Sequence, residues 1–126
     1  MNTDDQPKKI LIVEDEEAIV RSMTLKLASS NFDVTAAYNG EDALKMLQEG
    51  KFDLVLLDLM MPKVDGFSVL AQMKARQDKT PVIVLTNLSQ EEDKKRVEEY
   101  GSRYFVKSNV SLNQIVDYIK ETLAAQ

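Results

Sequence analysis

Five short apolar runs recur along this chain, each followed by a longer segment with helical spacing, and no other feature limits the fold as strongly. The runs are Lys9 to Val13, Asp33 to Ala37, Leu54 to Leu57, Val82 to Leu85 and Tyr104 to Val106. Four of them lack polar alternation, as strands covered on both faces do in parallel sheet. Between them, Glu16 to Ser29 repeats Ile19, Met23 and Leu27 on one helical face. Asn39 is placed to cap a helix carrying Leu44 and Leu47 that stops at Gly50, and Gly66 to Arg76 presents Val69, Leu70 and Met73. Ser89 with Glu92, and Ser111 with Gln114, have the spacing of capping boxes. Five βα units in strict order predict an α/β fold: one doubly wound, five-stranded parallel sheet with helices on both faces and right-handed crossovers. The Glu91 to Glu99 segment stands apart, with Val97 as its one clearly apolar residue, so it is expected to dock weakly. Residues 1–7 read as a flexible tail and residues 8–126 as one domain.

What the composition lacks narrows the chemistry. The 126 residues include no cysteine and no histidine. Thiolate and imidazole catalysis, disulfides and the usual zinc or iron-sulfur ligation are therefore excluded. Carboxylates, lysines, hydroxyls and backbone amides remain, and oxygen-only ligation points to a hard cation such as Mg²⁺ or Ca²⁺. Sixteen basic against twenty-one acidic residues leave a net charge of -5, opposite in sign to a phosphate-backbone binder, so direct nucleic-acid contact is not expected. The longest apolar runs, such as Ile10 to Val13, are far shorter than a membrane span, and the polar opening has no apolar stretch of a signal peptide. No membrane association and a cytoplasmic location follow as expectations.

In open α/β sheets the ligand site lies outside the carboxyl ends of the strands. Reading those ends gives Glu14 and Asp15 after the first strand, Asp58 after the third, Thr86 at the fourth and Lys107 after the fifth. Singly, each has an ordinary explanation: a solvated loop acid, a cap for the first helix in the case of Asp15, a β-branched strand residue, a surface lysine. Their joint placement at four of five strand ends is what a structural role does not call for. Three clustered carboxylates repel one another unless protons or a cation neutralise them, and a divalent metal serves. A carboxylate can also act as nucleophile through an aspartyl phosphate, and Asp58 holds the central place. A lysine and a hydroxyl opposite the metal suit the remaining phosphoryl oxygens.

These residues resemble the receiver domain of bacterial two-component response regulators, close to the stand-alone chemotaxis type. The carriers are ILIVED, LVLLDLMMPKVDG, Thr86 after VIVL, and YFVK, and the resemblance covers about residues 8 to 124. It implies a flavodoxin-like sheet in the order 2-1-3-4-5. It implies that Asp58 accepts a phosphoryl group from a phosphohistidine on a sensor histidine kinase or phosphotransfer protein. Mg²⁺ would be bound by Asp15 and Asp58, by Glu14 through water and by the Met60 backbone carbonyl. Thr86 and Lys107 would contact the phosphoryl group, and Tyr104 would change position as Thr86 moves. A downstream protein would read the face made by the fourth helix, fifth strand and fifth helix. Such a domain promotes only its own phosphorylation and dephosphorylation and is not a turnover enzyme.

The sequence departs from the family pattern in places. Glu14 stands where aspartate is commoner, and Ser108 follows Lys107 where the family has proline, which removes the expectation of a cis peptide there. Asn87 stands beside Thr86 in place of a small residue, and Met60 and Leu88 bring apolar bulk to the site. An alternative is an interaction module of the same fold that is not phosphorylated. A flavodoxin-like nucleotide binder is disfavoured by the EDEE turn, which repels a bare phosphate.

Overall fold

The computed structural model describes residues 6–126. Five strands alternate with five helices: β1 Lys9–Val13, α1 Glu17–Ser29, β2 Asp33–Ala37, α2 Gly40–Glu49, β3 Leu54–Leu57, α3 Gly66–Ala75, β4 Val82–Thr86, α4 Glu91–Glu99, β5 Arg103–Val106 and α5 Leu112–Ala124. The sheet runs β2-β1-β3-β4-β5, and every neighbouring pair is parallel. β3 and β4 are buried along their whole length, whereas β2 alternates in exposure because it lies at the sheet edge.

The continuous apolar runs serve two cores, one on each face. Leu11, Val13, Val55, Leu57 and Val84 face Ala43 of α2, Val69, Leu70 and Met73 of α3, and Val97 of α4. Their neighbours Ile10, Ile12, Leu54, Leu56, Ile83 and Leu85 face α1 and α5 through Val20, Met23, Leu27, Ile115, Val116 and Ile119. Strand side chains alternate between faces, so a run without polar interruption requires both faces covered. Each fully buried aliphatic side chain contributes roughly 1.5–3 kcal/mol, which is why the sheet tolerates the polar cluster at its end.

Several local expectations shift by a residue or two. The buried face of α1 is Val20, Met23 and Leu27, with Ile19 only partly buried against the same core. Asp15 does not cap α1; Glu16 stands at that position without a side-chain cap. Ser89 and Glu92 do not form a capping box, because α4 begins at Glu91 with Gln90 at its N-cap and the spacing falls out of frame. The Ser111 and Gln114 box does form, with reciprocal bonds of 2.8 and 3.1 Å. Asn39 caps α2 by accepting the Asp42 N–H at 2.8 Å. Asp65 caps α3 in the same way through the Ser68 N–H. The Lys107–Ser108 peptide is trans, and Lys107–Asn109 forms a short 3₁₀ turn. Of the tail expected at residues 1–7, residues 1–5 lie outside the described residues. Among the described residues no helix is long and apolar enough to cross a membrane.

Candidate functional site

Sheet register brings the strand ends together. Val13 is level with Leu57, and the Asp58 N–H donates to the Val13 carbonyl at 3.0 Å, so Glu14 and Asp15 emerge beside Asp58. Thr86 pairs with Val106, which places Lys107 one residue beyond it. The loop after Asp58 is then folded back hard. A Cβ on Gly66 would strike the Asp58 carbonyl oxygen, and one on Gly40 would strike that of Val64, so glycine at both positions lets the backbone close around the acceptor loop.

One carboxylate oxygen from each of Glu14, Asp15 and Asp58 lies within 4.8 Å of the others. Glu14 is 1% exposed and Asp58 5%, while Asp15 is the most open of the three. Lys107 bridges the two buried acids: its Nζ donates to Glu14 Oε1 in a close ion pair and to Asp58 Oδ2 at 3.2 Å. Backbone N–H groups supply the rest, from Glu16 to Glu14 Oε2 at 3.1 Å and from Met60 to Asp58 Oδ1 at 3.3 Å. Burial raises the Glu14 carboxyl above its usual range despite the bond from Lys107. Burial alone would lower Lys107, but the bond to Glu14 and the charge of Asp58 outweigh it and hold the ammonium above its usual value. One lysine thus serves two buried carboxylates beside a third, and the cluster keeps an excess of negative charge. That donor set is all oxygen, compact and open on the Asp15 side, which suits a hard divalent cation with retained waters.

Thr86 is fully buried, and its Oγ1 accepts the Leu88 N–H at 3.3 Å. The Tyr104 hydroxyl donates to the Leu88 carbonyl oxygen. Burial, then Asp93 and Glu91, raise the Tyr104 phenol above its usual value. Leu88 therefore joins Thr86 to Tyr104 through its own peptide groups, a link that no sequence signal announces because backbone bonds carry no residue preference. Asp15, Met60, Met61, Pro62, Phe67 and Leu88 line an open groove of about 470 Å³ beside the acids. Met60 is 57% exposed there, and Asn87 is exposed. Sequence reasoning also missed the stacking of the Arg96 guanidinium over the Phe67 ring, 3.7 Å from its centroid, which ties α4 to α3.

The family model for the response regulator receiver domain matches residues 10–120. The chain belongs to this family. The receiver domain is 37% identical over 116 residues to the alkaline phosphatase synthesis transcriptional regulatory protein PhoP of Bacillus subtilis, covering 92% of this chain and 48% of that protein. It is 34% identical over 118 residues to the response regulator ArlR of Staphylococcus saprophyticus, covering 94% of this chain and 53% of that one. The chain spans about half the length of the curated relatives it matches. Among solved structures, the Francisella response regulator 1452 receiver domain superposes with a TM-score of 0.88 at 28% identity, covering 94% of this chain and 98% of that one. A CheY-like receiver domain protein from Methanospirillum hungatei gives 0.89 at 26%, covering 94% and 95%. One relative is named as a transcriptional regulatory protein, so the relatives lend no support to the expected absence of nucleic-acid contact, nor to the stand-alone chemotaxis subtype.

Proposed function

We propose that this receiver domain is a phosphorylation-dependent switch in which Asp58 takes a phosphoryl group from a phosphohistidine on a sensor histidine kinase or phosphotransfer protein. One observation carries the reading: the nearly buried Asp58 carboxylate is held by Lys107 and the Met60 N–H beside the Glu14 and Asp15 carboxylates. An Asp58 oxygen attacks phosphorus, the P–N bond of the donor breaks, and the imidazole leaves with the electron pair. Lys107 and the Thr86 hydroxyl hold the phosphoryl oxygens as charge redistributes, which is most of what phosphoryl transfer asks of a protein. Glu14, Asp15, Asp58 and the Met60 carbonyl would hold Mg²⁺, which when bound neutralises the acids and the incoming phosphate. Once Thr86 engages the phosphoryl group, its bond from Leu88 is lost, and Leu88 in turn releases Tyr104. A partner reads the result on the α4, β5 and α5 face, where Gln90, Lys94, Tyr104, Phe105 and Tyr118 line a groove of about 400 Å³.

Residues 8–126 form the receiver unit of this reading, which acts in the cytoplasm and turns over only its own phosphoryl group. The stand-alone chemotaxis type is the subtype we assign, on the resemblance in ILIVED and LVLLDLMMPKVDG. Intact mass before and after incubation with acetyl phosphate and Mg²⁺ tests the core of the proposal. A gain of one phosphoryl group is expected in the wild-type chain and none in Asp58→Asn; equal labelling of the variant rejects Asp58 as the acceptor. A fold that interacts without phosphorylation would show no gain in either.

A further inference from the structure

Each carboxylate oxygen of the two buried acids already has a partner. Lys107 Nζ donates to Glu14 Oε1 in a close ion pair and to Asp58 Oδ2 at 3.2 Å. The Glu16 N–H donates to Glu14 Oε2 at 3.1 Å, and the Met60 N–H donates to Asp58 Oδ1 at 3.3 Å. The same two carboxylates, with Asp15, form the compact oxygen cluster that suits a hard cation. The Lys107 side chain is 13% exposed and those of Glu14 and Asp58 2% and 6%, so little water screens the ammonium from the acids.

An ammonium and a divalent ion cannot both be held closely by one pair of carboxylates, because like charges at that range repel strongly. A cation that takes the oxygens facing Lys107 displaces the ammonium outright. One that takes the other oxygens must break the backbone bonds and still meets the ammonium across the same two groups. Glu14 decides how firmly Lys107 stays. Its arm is one methylene longer than that of aspartate, and the Glu16 N–H fixes its second oxygen, so the first is presented to the lysine.

We propose that Lys107 and the divalent cation are competing counter-ions for Glu14 and Asp58, and that Glu14, as a positioning residue, sets the metal affinity by holding Lys107 against the acids. This rests on the metal reading above. Displaced from the two acids, the ammonium is free to meet the phosphoryl oxygens, which couples occupation of the metal site to the readiness of the lysine. A unit charge about 6 Å from a dication in water changes its binding roughly tenfold.

The test is calorimetric titration of MgCl₂ into the full chain at fixed ionic strength, with no phosphodonor present. Lys107→Met removes the ammonium without adding an oxygen ligand and should bind Mg²⁺ roughly tenfold more tightly than the wild-type chain. Lys107→Arg keeps the charge and should bind as wild type does. Glu14→Asp keeps the carboxylate on a shorter arm and should bind a few-fold more tightly. That gain should vanish when Glu14→Asp is combined with Lys107→Met, since no lysine is left to hold. Thermal melts of the same chains give a second readout: Lys107→Met should melt below wild type without metal and gain more from Mg²⁺. Equal affinity in Lys107→Met and wild type, or a Glu14→Asp gain that survives in the double variant, overturns the exchange and leaves the metal reading standing. Should Lys107→Met fail to fold, Glu14→Asp decides, and an affinity no higher than wild type overturns the proposal. No response to Mg²⁺ in titration or melt, in any chain, overturns the metal reading and the exchange with it.

Discussion

At the residue scale, the site is a charge problem, with three clustered acids against one lysine. Glu14 illustrates it, because a longer arm than aspartate reaches Lys107 from a position only 1% exposed. Burial nevertheless raises its carboxyl above the ordinary 4.5. The folded chain therefore retains this proton at a pH where the unfolded chain has released it. That contribution to stability is complete below 4.5 and is lost as pH rises through the raised folded value. Urea melts of metal-free protein between pH 4.5 and 7 should show wild type losing stability, relative to Glu14→Gln, as the pH rises. A constant difference across that range would mean that burial does not govern this group. Lys107 shows what sequence reading could reach and what it could not. Its place after a strand end was legible from the YFVK run, but its sharing between Glu14 and Asp58 was not, because two side chains 93 and 49 residues away meet it only after the strands pair.

At the scale of elements, α4 is the helix with the fewest apolar residues beside the switch. Its residues are charged apart from Val97, which is fully buried, and its first turn has no side-chain cap. The scarcity of apolar residues in this helix was readable from composition. The device that holds the helix was not, since the contact between Arg96 and Phe67 joins residues on two helices whose facing depends on packing. Arg96→Ala removes that contact without opening the core, so amide exchange should speed several-fold across Glu91–Glu99 and little in β1 or β3, consistent with a contact worth roughly 0.5–1 kcal/mol at an exposed site. Unchanged exchange in α4 would show that Val97 alone anchors it. The failed Ser89 capping box belongs here too: a spacing motif locates a helix start only if the helix begins in frame, and α4 begins one residue later than that frame requires.

At the scale of the whole molecule, a net charge of -5 and three clustered acids, two of which share one lysine, set the metal-free fold against itself. Asp58→Asn keeps the shape and removes one charge, so the metal-free variant should melt a few degrees above the metal-free wild type, as expected for a gain of about 1 kcal/mol in a domain of this size. Mg²⁺ at about ten times its dissociation constant should stabilise wild type by roughly 1.4 kcal/mol and the variant by less. Melts at fixed ionic strength, with Na⁺ and Ca²⁺ as controls, decide it. A lower melting point for the variant with an intact Mg²⁺ response would show that the acids do not act as one site. The sequence by itself determined five βα units, two covered faces and an acid, hydroxyl and lysine set at the strand ends, because hydrophobic period and run length are local properties that burial reads directly. Strand order came with the family resemblance, since five parallel strands can be wound in more than one order. Tertiary structure alone decided that Lys107 spans two buried acids and that Leu88 joins Thr86 to Tyr104. Those features depend on strand register, loop closure and backbone hydrogen bonds between distant segments, and such contacts leave no pattern in the order of the residues.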